Sequence, residues 1–219
     1  MAKFRIQFTK FGDMKYVSHL DLIRLFTRIF HRAELPVLYS EGFNPHPKMA
    51  VLLPLSVGTE SSCEYIDVDF DDSVSMLDVA KKLKKALPIG MDVPQVTMLN
   101  ETSKKAKHIR YASYKITVDA PLNDQKLDAF LAQGTVEVLK KTKRSESMAD
   151  IKPDILHIAL ETGDETNAVF TAIISAGSNA NLKPDLLIEA MKTYIPGFAP
   201  ENVSILRTGI LDERGEPMM

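Results

Sequence analysis

A chain of 219 residues, 45% hydrophobic and carrying a formal net charge of −2, is long and apolar enough to bury one large core or two smaller ones, and its composition excludes wholesale disorder. No apolar run approaches the roughly 18 residues of a membrane-spanning helix, and the opening residues, MAKFRIQFTKFGD, lack the apolar centre of a secretory signal, so a cytoplasmic protein is expected. The single cysteine, Cys63, excludes an internal disulfide and any cysteine-ligated zinc or iron–sulfur site held by this chain alone.

The small net charge hides alternating blocks. Residues 1–50 carry 8 Lys and Arg against 4 Asp and Glu, and residues 51–102 carry 4 against 9. Residues 103–144 carry 10 against 4, and residues 145–219 carry 5 against 12. Two basic patches on a polar protein would suit a phosphate backbone. The plain alternative is that the blocks solvate different faces.

In chain order, Phe4, Ile6 and Phe8 alternate with polar residues, the period of a half-buried strand. Ser18 can cap a helix that Asp21 helps to close, with Leu22, Phe26, Ile29 and Ala33 on its apolar stripe and Pro36 as its stop. Val37 to Tyr39 and Met49 to Leu53 are expected to be extended and Tyr65 to Phe70 a strand; Ser73 or Ser75 can open a helix through Val79, Leu83 and Leu87, and Val93 to Leu99 is the next strand. The second half repeats the order. Tyr114 to Val118 reads as a strand, Leu122 to Leu131 as a helix, and Val136 to Leu139 as a strand running into basic Lys140 to Arg144. Ile155 to Leu160 and Val169 to Ile174 read as paired strands, with a turn at Thr162, Gly163 and Asp164. Pro184 starts a helix ended by Pro196 and Gly197, Val203 to Leu206 is the last strand, and the tail from Asp212 is expected to fray. The fold class expected is α+β, with two tandem ferredoxin-like βαββαβ units, residues 1–102 and 103–219, on antiparallel sheets.

The chemistry concentrates between Tyr16 and Lys48, which holds three of the five histidines. On the first helix Asp21, Arg24, Arg28 and either His31 or Arg32 recur at three- and four-residue steps and so share one outer face. Arginine forks suit phosphate or carboxylate, so this ladder is a candidate grip on a nucleic-acid backbone or an acidic partner, although a solvated helix face looks the same. His19 follows the cap, near the positive end of the helix, a position for a donor or a base as well as for plain capping. His19 and Asp21 diverge by about 200° around the helix, so no metal site is expected of them. In Gly42-Phe43-Asn44-Pro45-His46-Pro47-Lys48 each proline drives its predecessor out of the helical region, which displays Asn44 and His46. Phe43 is left to anchor the loop in the core or to stack on a base. No nucleophile, base and acid stand at a recognisable spacing, and no phosphate-binding glycine motif occurs.

The segments YVSHLD, RAELP, GFNPHPK, PLSVG and Glu64-Tyr65, with the arginine helix, resemble the radical SAM-linked family of uncharacterised bacterial proteins over roughly the first 70 residues. That resemblance implies a radical SAM protein as partner, bearing the iron–sulfur cluster, and no cofactor for this chain; it implies no catalytic residue. Tandem ferredoxin-like domains are also similar to those of CRISPR repeat-processing endoribonucleases and of TruA-type pseudouridine synthases. Three functions are therefore expected in turn. The first is a noncatalytic RNA-binding or substrate-presenting partner of a radical SAM enzyme in tRNA or rRNA modification. The second is an RNA-processing enzyme using His19 or His46, and the third an adaptor that docks a radical SAM protein. The candidate binding residues are His19, Asp21, Arg24, Arg28, Arg32, Phe43, Asn44, His46 and Lys48.

Overall fold

The computed structural model describes residues 2–141 and 146–219. The chain forms two compact units, residues up to His108 together with Pro217–Met219, and Ile109–Glu216. The fold is mixed α+β: four α-helices among the described residues, and strands whose pairings within each unit are antiparallel.

The first unit runs β1 (Ala2–Lys10), α1 (His19–Arg32), β2 (Met49–Val51), β3 (Glu60–Phe70), α2 (Met76–Ala86) and β4 (Gln95–Met98). Its strands lie in the order β4-β1-β3-β2. Alternation sends Phe4, Ile6 and Phe8 of β1 and Ile66, Val68 and Phe70 of β3 to one face, where they pack with Leu22, Phe26, Ile29 and Phe30 of α1 and Val79 and Leu83 of α2. Aromatic rings link strand to helix. Phe8 meets Phe26 edge-on at 4.9 Å between centroids, and Phe30 bridges Phe26 and Phe70 at 5.6 and 5.9 Å.

Both helices of this unit start on the same device. The Ser18 hydroxyl accepts from the Asp21 amide and donates to the Asp21 carboxylate at 2.7 Å, and Ser75 with Asp78 repeats the arrangement at 2.6 Å. The end of α1 precedes Pro36: the chain leaves the helix at Ala33 and turns at Glu34, whose φ is +49°.

The second unit runs β5 (Tyr111–Val118), α3 (Asp124–Leu131), β6 (Glu137–Lys141), β7 (Glu146–Asp150), β8 (Ile155–Gly163), β9 (Ala168–Ser175), α4 (Pro184–Tyr194) and β10 (Val203–Leu211). Strands β10-β5-β9-β8 form its sheet, and β6 and β7 pair separately as a hairpin. Ile116, Phe170, Leu127, Phe130, Leu187 and Met191 are buried in this unit.

Three points go beyond or against the sequence expectations. Val37 to Tyr39 is no strand. It is extended but makes isolated bridges, to Phe70 and Pro47, in place of a continuous ladder, with the Leu38 amide donating to the Asp69 carbonyl and the Leu38 carbonyl accepting from the Lys48 amide. Strand β7 has no sequence forecast, because ESMAD offers no apolar alternation and is extended through its pairing with β6. The tail does not fray. The Asp212 amide donates to the Glu216 carbonyl, Lys104 Nζ to the Pro217 carbonyl at 2.9 Å and Arg5 to the Met218 carbonyl. Of the basic run Lys140 to Arg144, residues 142–144 lie outside the described residues.

Candidate functional site

Helix α1 turns its apolar stripe to the core and leaves His19, Asp21, Arg24, Arg28, His31 and Arg32 exposed. These residues divide by partner. Arg24 Nη1 pairs with Asp21 Oδ1 at 3.0 Å, and the hydrogen bond from Ser18, followed by Arg24, holds the Asp21 carboxyl below the ordinary carboxylate range. Arg32 donates to the Ala86 carbonyl at the end of α2, and so caps a helix as well as facing water. Arg28 has neither ion pair nor hydrogen bond among the described residues and reaches Asp21 only through its charge.

The loop after α1 is a closed structure. Tyr39 bridges Pro47, the Ser40 amide donates to the His46 carbonyl at 2.9 Å, and the His46 amide donates back to Ser40 Oγ at 3.1 Å. The same hydroxyl lies 3.0 Å from His46 Nδ1, which also lies 3.3 Å from the Asn44 carbonyl. Gly42, with φ of +125°, supplies a backbone conformation that a side chain resists. At the apex Phe43 is fully exposed, at 111% of its reference area, so it does not anchor the loop in the core. Asn44, His46 and Lys48 are exposed too. The two prolines and the Ser40–His46 clamp thus hold an aromatic ring in water at the tip of a braced turn.

The topology places His19 and this loop at opposite ends of the helix–sheet layer. Lys10 Nζ donates to the Val17 carbonyl at 2.7 Å and the Gly12 amide to Glu60 Oε1 at 2.9 Å, which fixes the start of α1 beside the end of β1. The base of the loop sits at the other end, where Ala2 pairs with Phe70: the Leu38 amide donates to the Asp69 carbonyl and the Asp69 amide to the Lys48 carbonyl. The 14 residues of α1 separate the two ends by about 20 Å. His19 and His46 are not brought together at a common reacting centre, whereas Arg28, His31 and Arg32 lie toward the loop end of the helix.

The face of the sheet away from the helices is covered at its centre. Arg5 is 1% exposed and donates to both carboxylate oxygens of Asp67 at 2.7 and 2.9 Å, to the Lys104 carbonyl at 2.7 Å and to the Met218 carbonyl. Lys3 pairs there with Asp69 at 3.5 Å. Tyr65, on the same face, is buried; burial, and then its hydrogen bond with Cys63 at 3.2 Å, pushes its phenol up. Cys63 itself is buried.

Four cations of the first unit escaped the sequence reading. Lys81, Lys82, Lys84 and Lys85 are exposed on α2, inside the block that sums to acidic. The signal was present as the run KKLKK, but block summation averaged it with the carboxylates of β3. Among the described residues no group of three or more His, Cys, Asp or Glu side chains can hold a metal ion, and no helix is long and apolar enough to cross a membrane.

No curated protein matches the chain. A crystal structure of a Cbf5-Nop10-Gar1 complex aligns over 94% of this chain and 48% of the other at 9% identity, with a TM-score of 0.53, a likeness of fold alone. The chain thus spans about half the length of that neighbour. The crystal structure of an unknown protein from Galdieria sulphuraria aligns over 94% of this chain and 98% of its own at 11% identity, with a TM-score of 0.26. Residues 3–184 match the uncharacterized proteins conserved in bacteria designated DUF2344, and the chain belongs to that family.

Proposed function

We propose that the protein is a noncatalytic RNA-binding or substrate-presenting partner of a radical SAM enzyme, acting in the modification of tRNA or rRNA, and that both units are ferredoxin-like. The strand orders β4-β1-β3-β2 and β10-β5-β9-β8, each with two helices in βαββαβ connection, support the fold; β6 and β7 are then an insertion in the second unit. Phe43 carries the functional reading. A phenylalanine fully in water gains nothing for folding, and stacking on an unpaired base is worth about 1–3 kcal/mol. The exposed Arg24, Arg28 and Lys48 supply charge for phosphates. The radical SAM partner rests on the sequence resemblance, with which a single buried cysteine agrees.

Filter binding of bulk tRNA, with and without the radical SAM partner, tests this. Salt-sensitive binding is expected, weakened about 5- to 150-fold by Phe43→Ala. No binding under either condition would overturn the RNA reading. Cleavage lost in His19→Ala or His46→Ala would instead establish an enzyme. RNase-resistant capture by the partner, abolished by charge reversal at Arg24 and Arg28 without tRNA binding, would establish an adaptor.

A further inference from the structure

We propose that the RNA backbone is held by the outer face of both helices of the first unit, with the lysines of α2 as its main phosphate contacts; this rests on the RNA reading above. All four cations of residues 51–102 fall on α2, while the carboxylates of that block lie largely on β3 and the turns beside it. Helices α1 and α2 together carry seven lysines and arginines against Asp21 and Asp78, a net of +5.

The fold puts these charges on one surface. Leu22, Phe26 and Ile29 of α1 and Val79, Leu83 and Ala86 of α2 enter one core cluster, so both helices show their opposite sides to the same solvent. Lys81 lies about 200° around the helix from buried Val79, with Lys84 and Lys85 on either side of it, and Arg24 stands likewise opposite Leu22. Two cations join the helices: Arg32 donates to the Ala86 carbonyl, and Lys82 Nζ to the Glu34 carbonyl at 3.0 Å. Arg28, Lys81, Lys84 and Lys85 have no hydrogen bond or ion pair among the described residues. They are charges held on a cross-tied scaffold.

The chemistry of the face selects its ligand. Cores of protein interfaces are depleted of lysine and built around aromatic and apolar anchors. Here Leu20 and Leu77 are the large apolar side chains exposed on the two helices apart from Met76 at the start of α2, and each stands near a helix N-terminus among charges. A lysine is a point charge without a donor fork, suited to phosphates read without sequence. The other face of the sheet offers less grip, since Arg5 is spent on Asp67 and two carbonyls and Lys3 is paired with Asp69. The loop of Phe43 rises at the end of the layer where α1 finishes, so a single strand crossing the helices brings an unpaired base within its reach.

Fluorescence anisotropy with labelled oligouridylate over a salt series tests the assignment. Each phosphate contact on a single strand contributes about 0.7 to the slope of log affinity against log salt, so Lys81→Gln/Lys84→Gln/Lys85→Gln is expected to lower the slope by about 2. The corresponding triple arginine variant is expected to keep it. Should the glutamine triple fail to fold, as thermal unfolding would reveal, Lys81→Gln alone is expected to lower the slope by about 0.7. An unchanged slope, while Phe43→Ala still loses affinity, would overturn the helix-face assignment and leave the RNA reading standing. Absence of oligouridylate and tRNA binding by the unaltered protein would overturn both. Loss of RNase-resistant partner capture in the glutamine triple, with RNA binding intact, would reassign the face to an acidic protein.

Discussion

In the first unit the two helices carry Arg24, Arg28, Arg32 and four lysines against Asp21 and Asp78, whereas α3 and α4 of the second carry Lys126 and Lys192 against Asp124, Asp128, Asp185 and Glu189. The net helix charge is therefore +5 in one unit and −2 in the other, on sheets with corresponding strand orders. Strand order follows from where the apolar side chains fall, and the outer faces of the helices play no part in it. Those faces are free to diverge, and the divergence leaves one unit with a cationic helix layer and the other with an acidic one. The long segment between helix and sheet differs in the same sense: a clamped loop with a free aromatic tip in one unit, a β-hairpin in the other.

The largest effect should come from the sheet faces. Arg5 is buried against Asp67, whereas the Lys115–Glu161 pair of the second unit, at 2.5 Å, has both side chains more than a third exposed. Arg5→Ala leaves a carboxylate and two carbonyls without their donor and should cost about 3–5 kcal/mol in urea unfolding, against about 0–1 kcal/mol for Lys115→Ala. Equal losses would erase the contrast.

Helix capping gives a smaller and pH-dependent contrast. Ser18→Ala on α1 and Asn123→Ala on α3 should each cost about 1 kcal/mol at neutral pH. The Asp21 carboxyl is held below its ordinary value in the folded state, so its contribution is present above the unfolded value, near 4, and is lost as pH falls through the lower folded value. The cost of Ser18→Ala should accordingly shrink in acid. That of Asn123→Ala should not, because the cap on α3 is the amide side chain of Asn123 accepting from the Lys126 amide. Parallel pH profiles would show that the two caps act alike. Smallest of all, Lys192→Gln should leave the salt slope for oligouridylate unchanged, since that lysine pairs with Glu189 at 3.0 Å on the acidic helix layer.

Much of the fold was legible in the residues. The alternation of Phe4, Ile6 and Phe8, the stripe of Leu22, Phe26 and Ile29, the Ser18–Asp21 cap and the Pro184 helix start are local signals, and each structure formed near its place. Strand β7 and the bound tail were not legible, since one is extended only because β6 pairs with it and the other is held by Arg5 and Lys104 from far along the chain. The candidate site was half legible. The loop of Phe43 and the arginines of α1 stood out by type and spacing, while the lysines of α2 vanished into a block average.

Patterns of two and of three to four residues were enough to say which segments become strands and helices and which of their sides turn inward, because burial acts on the residues within each element. Which elements become neighbours is a matter of tertiary packing. Only the assembled first unit joins residues 24 and 28 to residues 81, 84 and 85 on one surface, sets His19 and His46 at opposite ends of a layer, and closes one face of the sheet over Arg5. The physical reason is range. A charge acts on what lies across from it in space, and those distances are set by the core.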